Sequence, residues 1–210
     1  MAARREQTVQ RILDGAATAF AKGGFAGTSM EEIAASAGVS KLLLYRDFAG
    51  KRELYQAVLD RTLARVVERV SVEPSSAQLR ELIAVAREDP DGFVLAFWHA
   101  AREPEFAGYV ADMHRQYVEV SDQILRSIEP DPALRRWAAE MTVSITYQSI
   151  ITWLEHGTPE RDDEFYERLL SVTRAAAKGA AAAAAPAPAP SAVPAPAPAK
   201  RAARAKRSPR

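Results

Sequence analysis

Up to Lys178, apolar residues recur three and four positions apart and no stretch alternates with period two, so the pattern predicts an all-α fold. Val9, Ile12, Leu13, Ala16 and Phe20 line one face of a first helix, which Gly23-Gly24 closes because glycine accepts the left-handed geometry of a helix end. Further boundaries fall at Glu73-Pro74, Asp89-Pro90-Asp91-Gly92, Glu103-Pro104, Glu129-Pro130-Asp131-Pro132 and Gly157-Thr158-Pro159, which brings the count to about nine helices. The segment from Pro132 to His156 is apolar on more than one side, as expected of a helix buried between neighbours, and the next helix carries Phe165, Leu169, Val172, Thr173 and Ala176 on one stripe. Two such helices can pack against their copies in a second subunit, with Ile145, Ile151, Leu154, Phe165, Leu169 and Val172 as the expected interface. The other reading is that they complete the core of a monomer.

The run from Thr28 to Lys51, TSMEEIAASAGVSKLLLYRDFAGK, meets the local requirements of a helix-turn-helix. Thr28 with Glu31, or Ser29 with Glu32, fits a capping box at the start of a short helix that contains Ile33, Ala34 and Ala37. A small residue at Ala34 suits a close crossing by a second helix. Gly38 ends the helix, Val39 can fill the corner, and Ser40 can cap the helix that follows. In that second helix Leu44 and Phe48 point inward. At 100° per residue the outer face then falls on Leu42 and Arg46, flanked by Lys41, Leu43 and Tyr45. Lys41 and Tyr45 suit phosphates, Arg46 a guanine edge or a phosphate, and Leu42 or Leu43 a thymine methyl group. Leu43 and Tyr45 could equally belong to the small domain's core, and Asp47 to a salt bridge.

Charge divides the chain into three segments under a formal net charge of only +1. Residues 1–50 carry six Lys/Arg and five Asp/Glu, residues 51–178 carry sixteen and twenty-two, and residues 179–210 carry six and none. The last segment, an Ala-Pro run after Lys178-Gly179, has nothing to form a core with and favours extended polyproline II. It ends in Lys200, Arg201, Arg204, Lys206, Arg207 and Arg210, a basic tip suited to auxiliary DNA contact or simply to solubility. With no Cys there is no disulfide, thiolate site or cysteine nucleophile. The N-terminal residues lack the pattern of a secretion signal. The uncharged stretch from Met141 to Leu154 is shorter than the roughly 20 residues of a membrane span, so a cytoplasmic protein is expected.

The residues from Arg11 to about Tyr55 resemble the TetR-type one-component transcriptional regulators. The resemblance rests on ILDGAATAFAKGGFAGTSMEEIAASAGVS, the run KLLLYRDF and the closing GKRELY. It implies phosphate contacts from Thr28, Ser29, Tyr45 and Lys51, and groove contacts from Ser40, Lys41, Leu42, Leu43 and Arg46. It departs from the family pattern at Leu42, where many members have a small residue, and at Asp47, where many have His or Tyr. The resemblance further implies a helical ligand-binding and dimerisation domain, and movement of the helix from Lys51 to Val70 when an effector binds.

The expected organisation is therefore a DNA-binding domain over 1–50, a sensing and dimerisation domain over 51–178, and a disordered spacer with its basic tip over 179–210. In the second domain Phe97, Trp98, His99, His114, Tyr117, Met141 and Tyr147 are the expected lining of a pocket for an apolar or aromatic small molecule. His99 and Glu103 are four apart but lack a third ligand for a metal. No phosphate loop, GxSxG or HExxH occurs. The expected function is a homodimeric repressor on a palindromic operator in duplex DNA, with no enzymatic activity, no cofactor and no metal. The alternative is a DNA-coating, nucleoid-associated protein driven by the basic tip.

Overall fold

A computed structural model describes residues 2–70 and 76–182. The Ala-Pro spacer and the basic tip, Lys200 to Arg210, lie outside the described residues. Nine α-helices occur among those described: α1 (Ala2–Gly23), α2 (Met30–Ala37), α3 (Lys41–Asp47), α4 (Lys51–Arg69), α5 (Ser76–Glu88), α6 (Pro90–Val94), α7 (Ala107–Leu125), α8 (Pro132–His156) and α9 (Asp162–Ala182). Between α6 and α7 the helical path widens into one π-turn, Leu95–His99, then tightens into a 3-10 turn, Ala100–Arg102. A π-turn shifts every following side chain around the helix axis, and such turns cluster at functional sites. No described helix is long and apolar enough to cross a membrane.

Local chemistry sets the first three helices. Of the two possible capping boxes the fold uses Ser29 with Glu32: the Ser29 hydroxyl accepts from the Glu32 N–H, and the Glu32 carboxylate accepts from the Ser29 N–H. Gly38 ends α2 at φ +63°, and Ser40 caps α3 by accepting from the Leu43 N–H at 3.2 Å. Leu44 and Phe48 are buried in the same core cluster as Ile12, Ala16, Phe20 and Ile33. A close backbone approach between helices is made at Gly15 of α1. A Cβ there would lie 2.4 Å from the backbone of Ala37, so α2 crosses α1 where α1 has no side chain.

One continuous buried cluster extends from this three-helix unit into the remaining helices. Its junction is an aromatic knot of Phe20 (α1), Phe25 (the α1–α2 turn), Tyr55 (α4) and Phe106 (before α7), with ring centroids 4.2–5.4 Å apart. Each such pair contributes about 0.5–1.5 kcal/mol beyond its area burial. A polar junction lies further along α4. Buried Asp89 accepts from Arg61, Arg65, Thr62 and the Gly92 N–H, while Asp91 accepts from Thr18 of α1 at 2.5 Å. The helix following the DNA-binding unit is thus held at two places along its length.

The interface expected from helix periodicity is largely used within the chain itself. Leu169 is buried, and Ile151, Leu154 and Phe165 pack against the chain's own core, because α9 lies on α8. Phe165 stacks on Trp153 at 4.8 Å with rings almost parallel. Ile145 is half-buried and Val172 is exposed. The apolar side chains left in solvent are instead Leu134, Trp137 and Met141, spaced by three and four along α8, with Val172 on α9.

Candidate nucleic-acid interface

Helix α3 presents an outward face that the fold does not use. Leu42 is 84% exposed and Tyr45 49% exposed; Ser40, Lys41 and Arg46 are exposed too, while Leu43 is half-buried. An exposed leucine on a seven-residue helix contributes nothing to the core. It is available to a thymine methyl group in a groove wide enough for the helix. Lys41 is not fully free, since its ammonium meets the Glu31 carboxylate of α2, a contact that lowers the Glu31 pKa and raises that of Lys41.

Two of the phosphate contacts implied by resemblance look different in place. The Thr28 side chain is buried, and its hydroxyl donates to the Gly24 carbonyl at 2.8 Å, so it closes the α1–α2 turn and does not face solvent. The Lys51 ammonium donates to the carbonyls of Phe25 (2.7 Å) and Thr28 (2.9 Å) and sits 4.5 Å from the centre of the Phe25 ring. Two of its three hydrogens are committed to that turn, which leaves one for a phosphate. Ser29 is half-exposed at the mouth of α2.

A second basic surface was not anticipated. Arg4, Arg5 and Arg11 of α1 line a groove with Gln7, Thr8, Leu43 and Arg46, so the first turns of α1 run beside α3. The signal in the sequence was three arginines within the first eleven residues. Their position beside residue 46 depends on a tertiary packing that no local pattern reveals. Asp47 lies between the two helices and accepts from Arg5 at 3.0 Å and from Arg46 at 2.7 Å. The hydrogen bond from Arg46 holds its carboxyl below the ordinary carboxylate range against a smaller opposing effect of desolvation.

This arrangement is a compact helix-turn-helix with cations on both flanks of a protruding helix. Residues 12–58 match the bacterial regulatory proteins of the tetR family. The helix-turn-helix domain of this chain is of the TetR type. It is similar to an uncharacterised HTH-type transcriptional regulator of Mycobacterium tuberculosis, Rv1255c, at 28% identity over 85% of this chain and 93% of that protein. It is also similar to the HTH-type transcriptional activator FasR of Mycolicibacterium smegmatis, at 29% identity over 78% of this chain and 80% of that one. A TetR-like transcriptional regulator from Rhodococcus sp. RHA1 has the same fold, with a TM-score of 0.65 at 24% identity over 81% of this chain and 93% of that one. A domain of this type makes the chain a helix-turn-helix transcriptional regulator by similarity, of a family that is not one of enzymes and whose domain implies DNA as the partner.

The expected pocket residues of this regulator divide between several places. Phe97, His114 and Tyr147 line a cavity of about 540 Å3 together with Ala101, Arg102, Val110, Ala111, Arg115, Ser144, Gln148 and Ile151. Tyr117 and Tyr147 line a smaller space beside α5 and α9. Trp98 turns outward, where the Arg102 guanidinium stacks on it at 3.7 Å, and Met141 is exposed on α8. His99 faces the DNA-binding unit and donates from Nε2 to the Ala21 carbonyl at 3.0 Å. Glu103 joins it there, accepting from the Phe25 N–H at 2.9 Å and from the Tyr55 hydroxyl at 2.6 Å. Phe97 and Ala101 are four apart, and so are His99 and Glu103 starting two residues later, so helical geometry alone sends the first pair to the cavity and the second to the opposite side.

Proposed function

We propose that the protein is a cytoplasmic, homodimeric repressor that reads a palindromic operator with α3 and leaves it when an apolar small molecule enters the α7–α8 cavity. The observation that carries this reading is the outward face of α3, with Leu42, Tyr45 and Arg46 in solvent while Leu44 and Phe48 hold the helix from behind. In this reading Ser40, Lys41, Leu42, Leu43 and Arg46 enter the major groove. Tyr45, Ser29 and the remaining Lys51 hydrogen meet phosphates, and Arg4, Arg5 and Arg11 extend the phosphate track. Residues 1–50 form the reading unit, 51–178 the sensing and pairing unit, and 179–210 the basic appendage.

Pairing is supported by the exposed stripe of Leu134, Trp137 and Met141 together with Val172, an apolar surface of the kind subunit interfaces cover. Release is supported by the connection from cavity to DNA-binding unit. A guest that displaces Phe97 or Ala101 shifts the same short segment that holds Phe25 and Tyr55 through Glu103. Half-sites about 34–36 Å apart tolerate little change in the distance between two recognition helices, so a small shift is enough for release. Repression is the sign we propose, because an occupied operator blocks transcription without a further contact. Selection from a pool of random duplexes, followed by transcription from a promoter carrying the enriched site, tests this reading. A two-fold symmetric site and reduced transcription are expected; affinity indifferent to sequence would contradict the reading and favour a DNA-coating protein.

A further inference from the structure

The cavity between α7 and α8 has an uneven lining. Its apolar walls are Phe97, Ala101, Ala107, Val110, Ala111, Tyr147 and Ile151, and its charged members are Arg102, His114 and Arg115, with no Asp or Glu among them. Two of those three basic groups are already neutralised by carboxylates outside the lining. His114 is bonded to Glu140 at 2.8 Å, and Arg115 is paired with Asp112. Arg102 differs. Its guanidinium donates to the Trp98 carbonyl at 2.8 Å and lies on the Trp98 ring, and no carboxylate pairs with it among the described residues.

Tyr147 adds a second polar group. It stacks on Phe97 with ring centroids 4.5 Å apart, and its hydroxyl is buried with no hydrogen-bond partner among the described residues. Desolvation keeps that phenol protonated, so it can donate. Buried polar groups are as a rule satisfied, so this orphaned donor marks Tyr147 as a side chain whose polar end the ligand-free packing does not use.

We infer that this cavity takes an organic anion with an apolar body, its acid group received by Arg102 at the exposed mouth and its body stacked along Phe97 and Tyr147. The inference rests on the ligand-sensing reading above and adds the charge of the ligand to it. It also gives the ligand a direct hold on the chain's switch. Arg102 is joined to Glu103, whose carboxylate binds Phe25 of the DNA-binding unit and Tyr55 of the helix that follows it.

Two fluorescent probes that differ by one sulfonate test it: 1-anilinonaphthalene-8-sulfonate and the neutral N-phenyl-1-naphthylamine, titrated into the full chain. The anionic dye is expected to saturate at one site per chain and to bind at least about tenfold tighter than the neutral one, the scale of one charge-assisted hydrogen bond. Arg102→Gln, on an exposed side chain that the fold does not need, should erase that preference and leave the neutral dye unchanged. Ala111→Phe, which fills the cavity, should abolish saturable binding of both, with helical content and DNA binding as the check on folding. Equal affinity for the two dyes, or an Arg102→Gln variant that keeps the preference, overturns the anion assignment while ligand sensing stands. Saturable binding that survives Ala111→Phe also overturns it, because the dye then sits elsewhere. Failure of both dyes to bind saturably overturns this inference and removes the cavity's support for a small-molecule effector.

Discussion

The Asp47 carboxylate, at the last residue of α3, is bonded to Arg5 in the second turn of α1, forty-two residues earlier in the chain. Its side chain is 2% exposed, covered by Arg5 and Arg46 and not sunk in the core. An acidic residue on a DNA-facing helix would repel phosphate. Here it instead sets the position of two arginines and limits their reach.

Asp47→Asn is expected to release both arginines toward phosphate. Affinity for random duplex should rise and depend more steeply on salt, by up to about two additional phosphate contacts, while the ratio of specific to random binding falls. Binding measured at several salt concentrations checks this. The pH dependence has a definite sign. Because the folded-state pKa of Asp47 lies below its ordinary 3.8, its contribution to stability is fully present above that value and is lost as pH falls through the lower, folded value. The stability difference between wild type and Asp47→Asn should therefore shrink in acid and stay constant from pH 5 to 7. The screening expected near the surface keeps this difference small.

Gly15→Ala should destabilise the protein although alanine is the better helix former. The gain in helix propensity is about 1 kcal/mol. The new Cβ would meet the Ala37 backbone at 2.4 Å, and backbone atoms cannot rotate away as a side-chain tip can. The net expectation is a loss of about 1–3 kcal/mol, which lowers the melting temperature by roughly 2–4 °C per kcal/mol in a chain of this size. A rise in melting temperature would show that α2 can move off α1 without cost.

Tyr55→Phe removes the donor, and Glu103→Gln the charge of the acceptor, from one contact, a phenol donating to a carboxylate at 2.6 Å. Each should cost about 1.5–3 kcal/mol, and the double variant clearly less than the sum, because a hydrogen bond to a charged group is lost only once. Thermal or denaturant unfolding of the four proteins measures this coupling. Additive losses would mean that the two groups act independently.

Tyr147→Phe should raise the stability of the ligand-free protein by about 1 kcal/mol, since it removes a buried hydroxyl that has no partner while keeping the ring stacked on Phe97. Stabilisation on loss of a functional group is the behaviour of a site held for binding. A destabilised variant would show that the hydroxyl is satisfied within the protein.

The helix-turn-helix was legible because its determinants are local. A capping pair three residues apart, one left-handed glycine and a hydroxyl cap act within a single turn, so Gly38 and Ser40 could be placed from the sequence alone, and Ser29 with Glu32 was one of two capping pairs it offered. What was not legible depends on distance in the chain. The pairing of Arg5 with Asp47, and the contact of Glu103 with Phe25 and Tyr55, join residues brought together only by tertiary packing. Thr28 illustrates the limit: its hydroxyl fits a cap or a phosphate contact equally well, and burial decides for neither. The pocket set divided because it took consecutive residues, Phe97, Trp98 and His99, which a helix sends to different faces. Likewise α8 is apolar on several sides, so its pattern did not distinguish Ile151 and Leu154, packed against the core, from Trp137 and Met141, left in solvent.

The most direct test of the central claim is the affinity of the wild type and of Tyr45→Ala, Arg46→Ala and Leu42→Ala for a selected duplex and for random duplex at one salt concentration. These positions lie on an exposed face, so the variants should keep wild-type stability. If α3 reads the operator, the selected site is bound about 10³-fold or more tighter than random DNA. Arg46→Ala and Leu42→Ala should then lower that ratio by about 1–3 kcal/mol if they touch bases. Tyr45→Ala should weaken both duplexes alike. Equal ratios across all four proteins would contradict the account and place DNA recognition elsewhere in the chain.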